Sequence, residues 1–99
     1  MSFDVASVVD GDFEWDETKA TANLLKHGVS FSEAATVFAD PYAVELRDLS
    51  HDNRFVLIGM SSAVSILFVV HAEALSGRTR LISARRANRD QRRRYEQRG

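Results

Sequence analysis

At Tyr42 the spacing of apolar residues changes from a helical period to an alternating one, and this switch limits the chain to a fold with helices first and a sheet after them. Upstream, Asp16 stands where a helix N-cap belongs, and Glu17 opens a run of good helix formers. Ala20, Leu24 and His27 fall on one side at helical spacing, with Leu25 close by. Gly28 suits the left-handed residue that stops a helix, with Val29 folding back on Leu24. Ser30-Phe31-Ser32-Glu33 reads as a capping box, and Phe31, Ala34, Ala35 and Phe38 continue it as an amphipathic helix up to Asp40-Pro41.

Past the switch, Tyr42, Val44 and Leu46 alternate with Ala43, Glu45 and Arg47, the pattern of a strand with one face in the core. Asp48 to Asn53 is a polar turn. Phe55 to Ile58 and Ile66 to Val70 are near-continuous apolar runs that read as central strands, with Ser61-Ser62 near the bend between them. Ser76-Gly77 marks a hairpin and Arg78 to Ala84 the last strand, followed by a charged helix over Asn88 to Gln97. Phe13-Glu14-Trp15 suits a short strand. Met1 to Asp12 has no period, so residues 1–12 are expected to be a flexible N-terminal extension to a domain spanning 13–99. The fold class is α+β: two N-terminal helices, an antiparallel meander of about four strands and a C-terminal basic helix.

The 99 residues and an apolar fraction of 44% suit one folded domain. The lack of cysteine excludes disulfides, thiolate nucleophiles and Cys-based zinc sites, and is compatible with a reducing cytoplasm. No apolar run is long enough for a membrane span, and no signal peptide is expected. The net charge of −1 hides a division: residues 1–50 carry 3 basic against 10 acidic side chains, and residues 51–99 carry 10 against 4. Nine of the eleven arginines lie from Arg78 onward, an end that suits a polyanion or an acidic protein surface, or else a solvated helix.

Strand parity puts His71 and Glu73 on one face, about 6.5–7 Å apart at Cα. A carboxylate beside an imidazole is a plausible proton-transfer pair; the alternative is an edge-of-core histidine and a solvated glutamate. Arg78 and Arg80 share a face of the next strand, with Arg85 and Arg86 at its end. Gathered near His71 they would hold a phosphodiester, or else Arg80 would pair with a carboxylate such as Glu73. Lys26 and His27 close the first helix, where cations also serve simply as caps. Trp15 and Tyr95 suit the core, or stacking on exposed bases. Metalloprotease, dinucleotide and P-loop motifs are missing, and acidic residues do not cluster as a two-metal nuclease requires. If a chain of this kind cuts RNA, it is expected to do so without a metal.

Lys26-His27-Gly28-Val29-Ser30-Phe31 and Arg80-Leu81-Ile82-Ser83-Ala84-Arg85-Arg86-Ala87 running on to Tyr95-Glu96, with Phe13-Glu14-Trp15-Asp16, Lys19 and Asn23, resemble the BrnT family of ribonuclease toxins over roughly residues 13 to 96. The resemblance implies a RelE-like fold, RNA cleavage by attack of the ribose 2′-hydroxyl on the adjacent phosphate with no cofactor, and inhibition of translation. By the same resemblance Lys26, His71 and Glu73 are candidates for proton transfer and Arg80 and Arg85 for phosphate binding. His27, Arg54, Arg78, Arg86 and Tyr95 are candidates for wider RNA contact. The implied partner is a BrnA-like antitoxin, in a hetero-oligomer with toxin self-association. Three departures from the family pattern bear on local charge and leave a weakened activity open: Glu73 is followed by Ala74 rather than arginine, Gln91 replaces glutamate, and the Asp48–Arg54 turn is short. A non-catalytic RNA-binding or protein-interaction module on the same fold is the alternative.

Overall fold

The computed structural model describes residues 7–97. In chain order the elements are β1 (Ser7–Asp10), β2 (Phe13–Asp16), α1 (Glu17–His27), α2 (Phe31–Thr36) with a 3-10 turn at Val37–Ala39, β3 (Val44–Arg47), β4 (Arg54–Met60), β5 (Ile66–Glu73), β6 (Thr79–Arg86) and α3 (Arg89–Glu96). The strands form one six-stranded sheet in the order β1-β2-β6-β5-β4-β3. From β3 to β6 every pairing is antiparallel, as expected of a meander. Tyr42 itself lies outside β3 and is exposed.

The sheet is larger than expected. Ser7–Asp10 is a strand antiparallel to β2, joined to it by a turn with Gly11 at φ 60°, so residues 7–10 of the expected flexible extension belong to the sheet instead. Residues 1–6 lie outside the described residues. The signal missed was a four-residue edge strand, too short to show a period, before an Asp-Gly turn. β2 in turn pairs parallel with β6, through Phe13 opposite Thr79 and Glu14 opposite Arg80. The last strand also runs two residues past Ala84, taking in Arg85 and Arg86.

The helices follow their capping chemistry. Asp16 accepts from the Thr18 and Lys19 amides, and Gly28 at φ 72° donates its N–H to Leu24 O at 2.8 Å. Ser30 accepts from Glu33 N–H at 3.0 Å, but the Glu33 carboxylate accepts from Ser61 Oγ at 2.7 Å instead of completing the capping box. The complete box is in α3, where Asn88 and Gln91 cap each other.

Helices α1 and α2 cover the inner face of the sheet, where Trp15, Phe31, Val37, Leu57, Leu67 and Leu81 are buried together. Val56 and Ile58 point to the outer face, and Tyr95 brings α3 against them. Leu24 and Leu25, expected on the apolar side of α1, are 49% and 84% exposed, whereas Asn23 is buried. Its Nδ2 donates to Val29 O at 3.0 Å and Ala84 O at 2.8 Å, and its Oδ1 accepts from Ala84 N–H at 3.1 Å.

Removing that carboxamide strands three buried backbone groups. Asn23→Ala is expected to cost about 2–4 kcal/mol, read as a lower urea midpoint, because buried groups left unpaired keep most of their desolvation penalty. An unchanged midpoint would show that water or the neighbouring backbone replaces the side chain.

Candidate nucleic-acid interface and the groove behind it

Register decides which candidate side chains meet. On β5 and β6, Ala72 stands opposite Arg80, Val70 opposite Ser83, and Phe68 opposite Arg85. Arg54 on β4 stands opposite Ala72, and Glu14 on β2 beside Arg80. Directly paired residues point to the same side of a sheet. Arg54, Ala72, Arg80 and Glu14 therefore form one row across four strands of the outer face. Arg54 and Arg80 flank the small Ala72 from two strands apart, about 10 Å at Cα.

Both central arginines already have partners. Arg80 Nη1 donates to Glu14 Oε2 at 2.9 Å, and the pair is part-buried. A hydrogen bond from Ser76 Oγ, and after it the Arg80 guanidinium, hold the Glu14 carboxyl below its ordinary range. Arg85 lies over the Phe68 ring at 4.3 Å and donates from Nη1 to Gln91 Oε1 at 3.0 Å. Gln91 thus holds an arginine while capping α3.

Lys26 and His27, in the last turn of α1, line a groove of about 250 Å³ with Lys19, Asn23, Ile82 and Ser83. Ser83 belongs both to this groove and to the outer face, so the α1 cations border the arginine surface. Arg78 precedes β6 and donates from Nε to Gly11 O at 3.3 Å. Arg86 is exposed at the end of β6, beside Arg92 of α3. Tyr95 is 6% exposed and donates its hydroxyl to Asp40 Oδ2 at 2.7 Å. That corrects the expectation of RNA contact there: the ring is core and offers no face to a base.

His71 and Glu73 are elsewhere. His71 stands opposite Leu81 and Phe55 and faces the inner side, with Glu73 on the same side. The convergence of His71 and Glu73 with Arg80 and Arg85 expected from sequence does not occur, because even-numbered Arg80 pairs with Ala72 rather than with His71 or Glu73. The carboxylate that acts on His71 is Glu45, from β3. Glu45, Phe55, His71, Glu73 and Thr79 line one groove of about 280 Å³. The imidazole is 7% exposed, with Phe38 edge-on at 4.9 Å and Phe55 stacked at 5.8 Å. Its Nε2 has no hydrogen-bond partner.

Sequence reasoning also passed over Glu14, Asp40 and Glu45. Asp40 Oδ2 accepts from Met60 N–H at 2.8 Å as well as from Tyr95. Only the alternation around Glu45 carried a signal, since it placed that residue on the strand face away from Val44 and Leu46. Among the described residues no group of three His, Cys, Asp or Glu side chains is arranged to hold a metal ion. No described helix is long and apolar enough to cross a membrane.

These features define a small α+β protein with an arginine-bearing sheet face suited to a polyanion. The chain belongs to the BrnT family, the ribonuclease toxins of type II toxin–antitoxin systems, whose family model matches residues 15–91. It is similar to the crystal structure of the Brucella abortus ribonuclease toxin BrnT, with a TM-score of 0.62 and 26% identity, over 76% of this chain and 94% of that one. No curated protein matches it in sequence.

Burial, opposed in part by Glu45, pushes the His71 pKa below its ordinary value of 6.5. The folded protein then binds this proton less readily than the unfolded chain. The stabilisation is complete above about pH 6.5 and is lost as pH falls through that value toward the depressed one. The urea midpoint is expected to drop between about pH 7.5 and about pH 5.5, and to drop less in His71→Phe. Equal drops in both proteins would remove His71 as the cause.

Proposed function

We propose that this chain is a metal-independent endoribonuclease that cleaves RNA by 2′-hydroxyl attack, inhibits translation in the cytoplasm and is restrained by a BrnA-like antitoxin. The toxin–antitoxin complex is a hetero-oligomer in which the toxin also self-associates. The observation that carries the reading is the row of Arg54 and Arg80 around Ala72, with Arg85 two rows along the same face, in a chain of the BrnT family. Guanidiniums match phosphate oxygens with paired donors and stay charged at any working pH. The small side chains of Ala72 and Ser83 leave the backbone of an RNA strand room to approach between them.

In the reaction the 2′-oxygen bonds to the adjacent phosphorus as its proton leaves to a base. The 5′-oxygen departs with a proton from an acid, leaving a 2′,3′-cyclic phosphate and a 5′-hydroxyl. Arg80 and Arg85 bind the phosphate and offset the charge gained in the pentacovalent transition state, with Arg54 and Arg78 extending the contact. Lys26 and His27, at the border of that face, are the titratable groups placed for proton transfer. His71 and Glu73 lie behind the strands and take no part.

A second reading, a non-catalytic RNA-binding or protein-interaction module, draws on the Arg80–Glu14 pair and on Arg85 held by Phe68 and Gln91. The two readings part on end-labelled RNA. Cleavage is expected to persist in excess EDTA, to fall roughly 30- to 1000-fold in Arg80→Ala or Arg85→Ala, and to survive in His71→Phe. Folded arginine variants that cut at the wild-type rate would overturn the assignment, and no cleavage by the wild-type chain would favour the module.

A further inference from the structure

The inner-face groove at His71 has no place in that reaction, yet it is built like a binding site. His71 is 7% exposed, and its Nε2 is buried without a hydrogen-bond partner. The carboxylates of Glu45 and Glu73, on either side, are exposed and make no ion pair among the described residues. Beyond Phe55, Glu73 and Gly77 the groove continues into a wider hollow of about 560 Å³ lined by Arg47, Asp52 and the fully exposed Leu75. Along this path Glu45, Asp52 and Glu73 face one cation, Arg47, whose guanidinium lies 5.6 Å from the Phe55 ring centroid.

Each element selects against a different ligand. Three carboxylates repel RNA phosphates. A metal ion requires a converging donor set, and among the described residues there is none. A guanidinium meets all the conditions: its fork pairs with carboxylates, its plane lies on aromatic rings, and its aliphatic stem covers apolar side chains such as Leu75. The chain's own Arg47 against Phe55 is an example of the contact.

We propose that the groove lined by Glu45, Phe55, His71 and Glu73 receives an arginine side chain of a protein partner. Charge complementarity carries the choice of occupant. The surface lies on the side of the sheet away from Arg80 and Arg85, so a partner held there leaves the RNA-binding face open. The proposal does not depend on RNA cleavage.

The test is a titration of the isotope-labelled full chain with N-acetyl-arginine N-methylamide, followed by NMR, with the citrulline analogue as an uncharged control of the same shape. Saturable shifts are expected for His71, Glu45 and Glu73, with the citrulline analogue at least about tenfold weaker, since a charged hydrogen bond is worth roughly twice a neutral one. Glu45→Gln/Glu73→Gln, its fold checked by the same spectrum, is expected to lose the arginine response. Equal binding of citrulline, a response unchanged in the double variant, or shifts confined to the Glu14–Arg80 region would overturn the proposal. So would movement of the groove signals on adding oligouridylate. If dilution of the protein alone moves them, the chain's own arginines fill the groove and a foreign partner is excluded.

Discussion

The carboxamide of Asn23 does the work of a missing strand. β2 pairs with β6 only at Thr79 and Arg80, so beyond Arg80 that edge of β6 has no strand beside it among the described residues. There the Asn23 side chain takes both the N–H and the C=O of Ala84, and its second donor hydrogen holds Val29 after the turn. One polar group thereby fixes the distance of α1 from the sheet, the exit of the Gly28 turn and the start of α2. On the other side the Asp40 carboxylate does the same for β4, taking Met60 N–H past the end of β3 and the Tyr95 hydroxyl that holds α3. Open strand edges invite pairing with other chains, and here two are closed by side chains.

With the edges fixed, the sheet separates two chemistries by its thickness. The outer face collects Arg54, Arg80 and Arg85, and the inner face beyond α2 collects His71, Glu45 and Glu73. Because neighbouring residues in a strand point oppositely, Ala72 between His71 and Glu73 belongs to the arginine row. A cationic surface and an acidic groove are thus built from the same short stretch of β5, without their side chains neutralising each other.

The sequence made much of this fold legible. The period change at Tyr42, the Asp16 and Ser30 caps and the left-handed Gly28 all correspond to observed features, and the central strands fall where the apolar runs place them. What it hid were relations between strands. Nothing local in Glu14 indicates a parallel partner some sixty residues away. A polar Asn23 in line with Ala20 and His27 looks like an interruption of the apolar stripe, when in fact it is the buried residue of that helix. Parity within β5 was readable, but which face β6 presents beside it depends on the pairing register, which the turn closed by Ala74 and Arg78 sets and the irregularity between Val70 and His71 then shifts. Hence the arginines were recognised as a group and assigned to the wrong side.

One irregularity in β6 shapes the arginine surface. Val70 and His71 are consecutive on β5, but their partners Ser83 and Leu81 are not, so Ile82 is an extra residue bulged out of the ladder. Five positions apart, Arg80 and Arg85 would point to opposite faces of a regular strand; the bulge brings them to one. The sequence that follows is a doublet, Arg85-Arg86. A lineage that lost Ile82 would lose the bulge alone: Ser83, Ala84 and Arg85 would follow Leu81 in a regular ladder, still opposite Val70, Val69 and Phe68. Arg80 and Arg85, then four positions apart, would still share the outer face, and Ala84 would keep the core position that Asn23 clasps. Descent with a single-codon deletion at the bulge would thus be constrained neither by the clasp on the inner side nor by the charge on the outer, whereas a deletion anywhere else in β6 would disturb both.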